Sequence, residues 1–283
     1  MAAETGIRHA PQPALMRVIG LNKTYVQRRP FSRKEFVLGA CKDVTLELPR
    51  RRVTALVGES GSGKSSLATC LALLQQPDSG EIWFEEDQVS AWTAEQLASL
   101  RPKIQMVFQD SAGALNPRFS AAQIIEEPLE IQRRASKPEL RLRALALMEE
   151  VGLSADCSKR LPLTLSGGQR QRLAIARAIA LKPELLILDE SLSSLDLVIQ
   201  SEILRLLVDL QSRHNLTYLL ISHDLSLVGE IADFVAVMHA GRIVEHGPRE
   251  KVFGAPRHGC TRELLAFARS LESDFQAATE VQA

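Results

Sequence analysis

The amino-acid sequence predicts an α/β domain in which a largely parallel sheet, with antiparallel strands in its N-terminal part, carries an inserted helical subdomain. Three observations predict this fold class. Apolar runs of strand length alternate with helical segments, a glycine-rich loop separates a strand from a helix, and strand signals stop between residues 110 and 183. Strands that alternate with helices usually pair in parallel and are covered by helices on both faces of the sheet.

The strands that precede the insertion are predicted within residues 14–109. Residues 1–13 lack periodicity and are predicted to be a mobile tail. Alternating apolar residues predict two strands joined by a basic loop around residues 27–34, and a short apolar strand then leads through the glycine loop into an apolar helix. The predicted strands are 14–21, 36–48, 51–57, 82–84 and 104–108, and the predicted helices are 64–74 and one capped near Thr93.

Residues 110–183 are predicted to form a mainly helical subdomain. Helical spacing is clearest over residues 140–151 and 169–181. Four prolines are predicted to punctuate this stretch, namely Pro117, Pro128, Pro138 and Pro162.

Alternation of strands and helices resumes after this insertion. Residues 14–109 and 184–248 are therefore predicted to form one core, and residues 249–283 a C-terminal extension with a polar tail. The further predicted strands are 185–188, 216–221, 234–238 and 242–245, and an amphipathic helix is predicted at 261–268.

Composition is ordinary for a globular chain and supports neither a nucleic-acid ligand nor a bilayer-spanning segment. Lys plus Arg and Asp plus Glu both number 34, so no net field favours nucleic acid. No apolar run is long enough to cross a bilayer, and residues 1–6 lack the pattern of a signal peptide. Any membrane role is expected to come through partner subunits. The cysteines have no metal-ligand spacing and are predicted to be reduced structural thiols of a cytosolic protein: Cys41, Cys70, Cys157 and Cys260.

The glycine-rich loop satisfies the pattern G-x-x-x-x-G-K-[ST] of a phosphate-binding loop. Its residues are Gly58, Glu59, Ser60, Gly61, Ser62, Gly63, Lys64 and Ser65. Glycines let several backbone N–H groups point at phosphate, and the following helix adds the positive end of its dipole. Lys64 is expected to reach the β- and γ-phosphates, and Ser65 to offer its hydroxyl to Mg²⁺. A flexible Gly/Ser turn is the alternative, which the flanking strand and helix disfavour.

Two carboxylates, Asp189 and Glu190, follow an apolar strand. Taken alone, they fit a core strand followed by a solvated acidic turn equally well. Beside a phosphate loop, Asp189 is placed to hold Mg²⁺ through a water molecule. Glu190 is then placed to accept a proton from the attacking water.

A second glycine-containing motif opens a helix at Leu165-Ser166-Gly167-Gly168-Gln169. Backbone N–H groups and the helix dipole make such a start a second anion site. The alternative, a helix whose N-cap is Ser166, is compatible with anion binding. We refer to these five residues as the signature motif.

In their order along the chain, these motifs resemble those of the ABC-type ATPases, a family of P-loop nucleotide hydrolases. The resemblance covers roughly residues 14–248 and makes the predicted core a nucleotide-binding core for ATP. The matching motifs are the phosphate loop, Gln109 after a strand, the signature motif, Asp189-Glu190, Ser194-Leu195-Asp196 and His223.

The resemblance implies that two cassettes pair head to tail and share ATP. Within the signature motif, the residues expected to contact the partner's nucleotide are Ser166, Gly167, Gly168 and Gln169. Gln109 would sense Mg²⁺ and the attacking water, Asp196 would join the two cassettes, and His223 would contact the γ-phosphate. Nucleotide contacts are expected to extend to Ser66. Tyr25 is predicted to stack on adenine, with simple packing as its alternative.

Two further stretches resemble the importers of dipeptides, oligopeptides and nickel. These are residues 105–110 with 115–118, and residues 258–265. The second stretch is similar to the tail motif His-Pro-Tyr-Thr-x-x-Leu-Leu, but Gly259 and Cys260 stand where that motif has Pro and Tyr. Residues 191–192 are Ser-Leu instead of the frequent Pro-Thr, and together with residues 197–200 they lean slightly towards nickel importers.

The resemblance also implies partners and a location. The expected partners are a second ABC ATPase chain, identical or not, transmembrane permease subunits and, indirectly, an extracytoplasmic substrate-binding protein. The expected place is the cytoplasmic face of the cell membrane. Two alternatives remain open: a soluble ABC ATPase that acts on nucleic acid or ribosomes, and a regulatory cassette that holds ATP without hydrolysing it.

Overall fold

A computed structural model describes residues 13–28, 35–132, 135–192 and 195–280. Residues 1–12 of the predicted tail, residues 29–34 of the predicted loop and Ser194 of the Ser-Leu-Asp motif lie outside these ranges. None of the described helices is both long and apolar enough to cross a membrane.

Two sheets form the β structure of the described residues. The first is antiparallel with the order β2-β1-β4-β5, and the second has the order β10-β9-β3-β8-β7-β6. All pairs in the second sheet are parallel except β10 with β9. The predicted fold class is confirmed. The strands are β1 (Ala14–Arg28), β2 (Glu35–Pro49), β3 (Val53–Val57), β4 (Ser79–Phe84), β5 (Asp87–Gln88), β6 (Ile104–Val107), β7 (Leu185–Asp189), β8 (Thr217–Ile221), β9 (Phe234–His239) and β10 (Arg242–Pro248).

The centre of the parallel sheet is wholly buried, because every residue of β3, β7 and β8 is shielded from solvent. Successive side chains of a strand point to opposite faces. Leu186 and Leu188 accordingly join a core that includes the helical subdomain, whereas Leu185 and Ile187 join the core shared with the antiparallel sheet. The two cores clamp the parallel sheet from both sides.

Only helices and irregular segments lie between β6 and β7 in the described residues, as predicted for the insertion. Polar caps set several helix starts. Thr93, Ser120 and Ser166 each make a capping box with the residue three positions on, and Asp196 caps the long α7. The helices are α1 (Lys64–Leu71), α2 (Ala94–Leu100), α3 (Ser111–Ala114), α4 (Ala121–Ile131), α5 (Lys137–Glu150), α6 (Gly167–Ile179), α7 (Leu197–His214), α8 (Leu225–Ile231), α9 (Arg249–Gly254) and α10 (Gly259–Glu280).

Some predicted boundaries are wrong. β1 runs on to Arg28, and α1 ends at Leu71 because Leu73 has a left-handed φ of 57°. The prediction that Pro128 separates elements is also wrong, since Pro128 lies inside α4. Proline removes one helical hydrogen bond, but burial of α4 residues such as Ile125 holds the helix in place.

The C-terminal extension is joined to β10 through one carboxylate. Glu245 accepts hydrogen bonds from the backbone N–H groups of Arg257 (2.9 Å) and His258 (3.0 Å) and from Thr261 Oγ1 (2.6 Å). Burial acts to raise the pKa of Glu245, but these bonds and the charge of Arg257 outweigh it and hold the pKa below its ordinary value. The carboxylate therefore fixes the start of α10.

We expect Glu245→Gln to lower the free energy of unfolding at pH 7 by about 1 kcal/mol, because the charged acceptor of three donors is lost. The folded pKa lies below the unfolded one, so this stabilisation is present above the unfolded pKa and disappears as the pH falls through the folded pKa. Urea denaturation at pH 7 and at pH 3 measures both values. Glu250→Gln, at an exposed position of α9, is the control. A deficit of equal size at both pH values would contradict the assigned role.

Candidate functional site

The predicted phosphate loop and the predicted acidic and histidine residues meet at the carboxyl edge of the parallel sheet. The loop follows β3, Gln109 follows β6, Glu190 follows β7 and His223 follows β8. Ligands of open α/β sheets bind outside the carboxyl ends of the strands. The topology therefore brings together residues that are far apart in the sequence.

Two glycines of the loop are required by close backbone contacts. A Cβ on Gly58 would lie 2.1 Å from the carbonyl oxygen of Met238, and a Cβ on Gly63 would lie 2.0 Å from that of Ala40. Both glycines have φ in the left-handed region, at 150° and 110°. The loop is thus packed between β9 and β2, and its shape is set by both sheets.

The turn between β9 and β10 ties the loop down further. Gly241 N–H donates to the carbonyl oxygen of Ser62 at 2.9 Å, and Lys42 N–H donates to the carbonyl oxygen of Gly241 at 2.8 Å. The hydroxyl oxygen of Ser62 is buried without a hydrogen-bond partner.

Lys64 brings a buried positive charge to the loop. Its Nζ donates to the carbonyl oxygens of Gly58 and Glu59, each at 2.8 Å, and only 4% of the residue is exposed. Burial lowers the pKa of Lys64 below its ordinary value, and the charges of Glu190, Asp189 and Glu59 oppose that shift. Backbone N–H groups, a helix start and this ammonium group suit a bound phosphate.

A hydroxyl and a carboxylate form a pair beside the loop. Ser65 Oγ donates to Asp189 Oδ1 at 3.1 Å, and Asp189 is 6% exposed. Burial raises the pKa of Asp189, and Glu190 adds to the shift, while the Ser65 hydrogen bond and Lys64 oppose it. Hard oxygen donors of this kind fit Mg²⁺, which usually binds one or two carboxylates plus substrate phosphates. No cluster of three His, Cys, Asp or Glu in the described chain could hold a metal alone.

Three predicted catalytic residues lie close together. Gln109 Nε2 donates to Glu190 Oε2 at 3.0 Å, and His223 Nδ1 lies 3.8 Å from Glu190 Oε1. Glu190 has a left-handed φ of 42°, and its N–H donates to the carbonyl oxygen of Ile221. Non-glycine residues in this region are strained and cluster at functional sites. The arrangement can orient a water molecule and accept its proton.

Tyr25 lines a cavity of about 300 Å³ together with part of the phosphate loop, Gln109 and Glu190. The loop residues that contribute to it are Ser60, Gly61, Gly63, Lys64, Ser65 and Ser66. Tyr25 is therefore next to the loop, as its predicted role requires. The structure does not test stacking on adenine, which stays a prediction.

Sequence reasoning missed the residues that hold Tyr25. Its hydroxyl donates to Gln75 Oε1 at 2.6 Å, and Lys23 Nζ lies 5.7 Å from its ring centroid. Asp78 fixes the same strand by accepting from Thr24 N–H at 2.6 Å and from Lys23 Nζ at 3.1 Å. No motif marks Gln75 or Asp78, because they meet β1 only through the fold.

The signature motif lies apart from this cavity. Ser166 caps α6 and makes a capping box with Gln169. A Cβ on Gly167 would lie 3.4 Å from Leu195, and a Cβ on Gly168 would lie 2.7 Å from Ile199, so the motif packs on the start of α7. None of the motif residues lines the 300 Å³ cavity. The structure does not bring the two predicted anion sites of one chain together.

The chain is similar in sequence to a family of known proteins. The family model described as ABC transporter matches residues 41–193. The chain is 41% identical over 263 residues to the dipeptide transport ATP-binding protein DppF of Escherichia coli, covering 93% of this chain and 79% of that protein. It is 42% identical over 252 residues to DppF of Haemophilus influenzae, covering 89% and 77%.

Solved structures are similar as well. A dimeric post-hydrolysis structure of the ATP-binding cassette MJ0796 with ADP and Pi has a TM-score of 0.73 and 28% identity, covering 82% of this chain and 98% of that one. The cbiO1 subunit of the ABC transporter complex cbiONQ from Clostridium perfringens has a TM-score of 0.73 and 29% identity, covering 86% and 92%.

The packing of the loop predicts unequal effects of two matched glycine substitutions. Gly63→Ala places a methyl group against Ala40 and must displace the loop, so we expect affinity for an ATP analogue to fall about 100-fold. Gly61→Ala has a similar positive φ of 79° but no protein atom within 4 Å, so only strain of about 1–2 kcal/mol is expected in its free energy of unfolding, while its methyl group enters the nucleotide cavity. Thermal unfolding without nucleotide compares the packing cost of the two variants, and analogue binding measures the affinity of Gly63→Ala. Equal destabilisation of both variants would refute the packing argument.

Proposed function

This chain belongs to the ABC transporter family, and we propose that it drives the uptake of short peptides through membrane partner subunits. It is an ATP-hydrolysing cassette, since it matches the family model, its relatives are transport ATP-binding proteins, and its fold is that of a cassette solved with ADP and Pi. The observation that carries the mechanism is the meeting of the phosphate loop, the Ser65–Asp189 pair and the Glu190 cluster at one sheet edge.

The phosphate loop positions ATP in this mechanism. Its N–H groups and the start of α1 bind the phosphates, and Lys64 exchanges its carbonyl partners for the β- and γ-phosphate oxygens. Ser65 and Asp189 would hold Mg²⁺, which would supply positive charge against the charge that develops on the phosphates. Tyr25 supports the adenine ring by stacking, and Ser66 adds a polar group to the cavity.

Glu190 acts as the general base in the proposed reaction. Gln109 donates a hydrogen bond to one carboxylate oxygen of Glu190, and His223 faces the other oxygen. Gln109 orients the attacking water, and the carboxylate accepts its proton as the water oxygen bonds to the γ-phosphorus. The bond from the γ-phosphorus to the bridging oxygen breaks, so that ADP and phosphate are the products, and His223 donates to the γ-phosphate oxygens. General base catalysis of this kind contributes about 10²–10⁴-fold in rate.

A second cassette completes each site in our proposal. The signature motif presents a capped helix start that does not line its own chain's nucleotide cavity. In a head-to-tail pair, this helix start contacts the nucleotide held by the other cassette. Similar cassettes support pairing, since MJ0796 is described as dimeric. ATP binding then closes the pair of cassettes, and hydrolysis lets the pair open again. The closed and open states differ in their affinity for the nucleotide.

The relatives support the partners and the substrate that we propose. We infer that the pair sits peripherally on the cytoplasmic face of the membrane, on permease subunits that receive substrate from an extracytoplasmic binding protein. The two DppF relatives are described as dipeptide transport proteins, which favours a short peptide as substrate. Residues 197–200 and the missing proline at position 191 resemble the nickel importers slightly more than the peptide importers, so nickel or a metal chelate is the second candidate.

Replacing the proposed base tests the mechanism. We expect Glu190→Gln to keep ATP affinity within about twofold, because the amide preserves the size of the side chain. We expect the rate of hydrolysis by the complex with permease subunits to fall about 10²–10⁴-fold. Filter binding and phosphate release measure the two quantities. Glu95→Gln, at an exposed position of α2, is the control, and near-normal turnover of Glu190→Gln would exclude Glu190 as the base.

Uptake separates the two substrate candidates. Cells that contain the wild-type chain, the Glu190→Gln chain or no copy are supplied with a labelled dipeptide and, separately, with ⁶³Ni²⁺. We expect dipeptide uptake only with the wild-type chain, because ATP binding without hydrolysis cannot drive repeated transport. We expect equal nickel uptake in all three kinds of cell, because nickel is not the proposed substrate. Dependence of nickel uptake alone on the wild-type chain would replace the peptide by the metal.

A further inference from the structure

The ring of Tyr25 is held at both ends, by its own strand and by the segment that follows α1. Its backbone pairs with Leu38 where β1 lies beside β2. Its hydroxyl group donates to Gln75 Oε1 at 2.6 Å, across 50 residues of the sequence. Tyr25 is half-buried and lines the 300 Å³ cavity. A tyrosine side chain has only two rotatable bonds, so a hydrogen bond at its far end leaves the ring little freedom.

Lys23 covers one face of the same ring. Its Nζ lies over the ring at 5.7 Å from the centroid. The ammonium group donates to Asp78 Oδ1 at 3.1 Å and to the carbonyl oxygen of Gln76 at 2.9 Å. The hydrogen bond to Asp78 raises the pKa of Lys23 above its ordinary value, so the group is charged at neutral pH. The π electrons attract this charge, and a stacked ligand would use the opposite face of the ring.

These contacts all come from the chain that leaves α1, the helix that starts in the phosphate loop. Gln75 N–H donates to the carbonyl oxygen of Thr69 at 3.2 Å, and Asp78 N–H donates to the carbonyl oxygen of Asn22 at 2.8 Å. Residues 75–78, which we call the anchoring segment, therefore join the phosphate-binding helix to β1. The anchoring segment sets where the ring lies relative to the phosphate loop.

We propose that Gln75 is a positioning residue for the adenine base, because it fixes the ring of Tyr25 before ATP binds. The inference rests on the stacking of Tyr25 in the proposed function and adds the group that prepares the ring for it. Gln75 is not among the described residues that line the cavity, so it acts through Tyr25. Ordering a free side chain at a binding site lowers affinity. The hydrogen bond from Tyr25 meets that cost during folding.

This geometry separates recognition of the base from recognition of the phosphates. ATP and inorganic tripolyphosphate both carry three phosphates, but only ATP has a base. A variant that loosens the ring of Tyr25 should weaken binding of an ATP analogue and leave binding of tripolyphosphate unchanged. A variant that disturbs the phosphate loop or the fold should weaken binding of both ligands. The ratio of the two affinities therefore distinguishes a positioning role from a merely structural one.

Replacing Gln75 in the full-length chain tests the proposal. Gln75→Leu removes the acceptor and keeps a side chain of similar size. We expect affinity for the non-hydrolysable analogue AMP-PNP to fall about fivefold, the contribution of one hydrogen bond, and affinity for tripolyphosphate to stay unchanged. Gln76→Leu is the matched control, because Gln76 is also exposed and contributes its backbone carbonyl oxygen. Titration calorimetry measures both ligands, and thermal unfolding shows that each variant is folded.

Two further variants test the path through the hydroxyl group. Gln75→Glu keeps an acceptor oxygen, so the ratio of the two affinities should equal that of the wild type, even where the added charge lowers both. Tyr25→Phe removes the donor and should lower AMP-PNP affinity by the same factor as Gln75→Leu. The combined variant should lose no more than either alone, because both remove the same hydrogen bond.

Tyr25→Ala separates failure of this inference from failure of the stacking on which it rests. If Tyr25→Ala lowers the ratio of the two affinities and Gln75→Leu does not, Tyr25 binds the base but the positioning role of Gln75 is overturned. Equal loss of both ligands in Gln75→Leu also overturns that role, because it shows a structural effect. If neither variant changes the ratio, stacking on Tyr25 is excluded as well. Hydrolysis and uptake with the permease subunits still test the proposed function separately.

Discussion

Complete burial of β3, β8 and β7 is the constraint on which the rest of the structure depends. Their side chains pack in apolar cores on both faces, and the three strands pair in parallel, so their carboxyl ends lie at the same edge of the sheet. The backbone that leaves each strand is consequently fixed in position. The phosphate loop, the carboxylates and His223 need no contact with one another to be aligned, because the sheet aligns them.

The same burial explains the electrostatics of the site. Lys64 and Asp189 are nearly inaccessible to water, and burial shifts the pKa of each towards its neutral form. Opposite charges and hydrogen bonds offset this effect only in part. A highly charged ligand with its own counter-ion would relieve both groups at once, which is a physical reason for ATP and Mg²⁺ to bind where a neutral ligand would not.

The sequence predicts those features of the site that depend on residues close together in the chain. The phosphate loop, the acidic end of β7 and the capped start of α6 are predictable because each is made of consecutive residues. Three other features could not be predicted, because they depend on neighbours that are distant in sequence. They are the hydrogen bond from Tyr25 to Gln75, the contribution of α10 to a second cavity beside the phosphate loop, and the helix that continues through Pro128. The separation of the signature motif from its own cavity also needed the structure. The chemical roles of the residues stay predictions.

The turn between β9 and β10 limits how the length of this hairpin can change in evolution. Surface hairpins usually tolerate insertions and deletions. Here, the N–H and carbonyl groups of Gly241 are bonded to Ser62 and Lys42, so a change of length would pull on the phosphate loop. Homologous cassettes should therefore keep the length of this hairpin even where its composition varies. A turn without a catalytic group would be under the selection that acts on the nucleotide site.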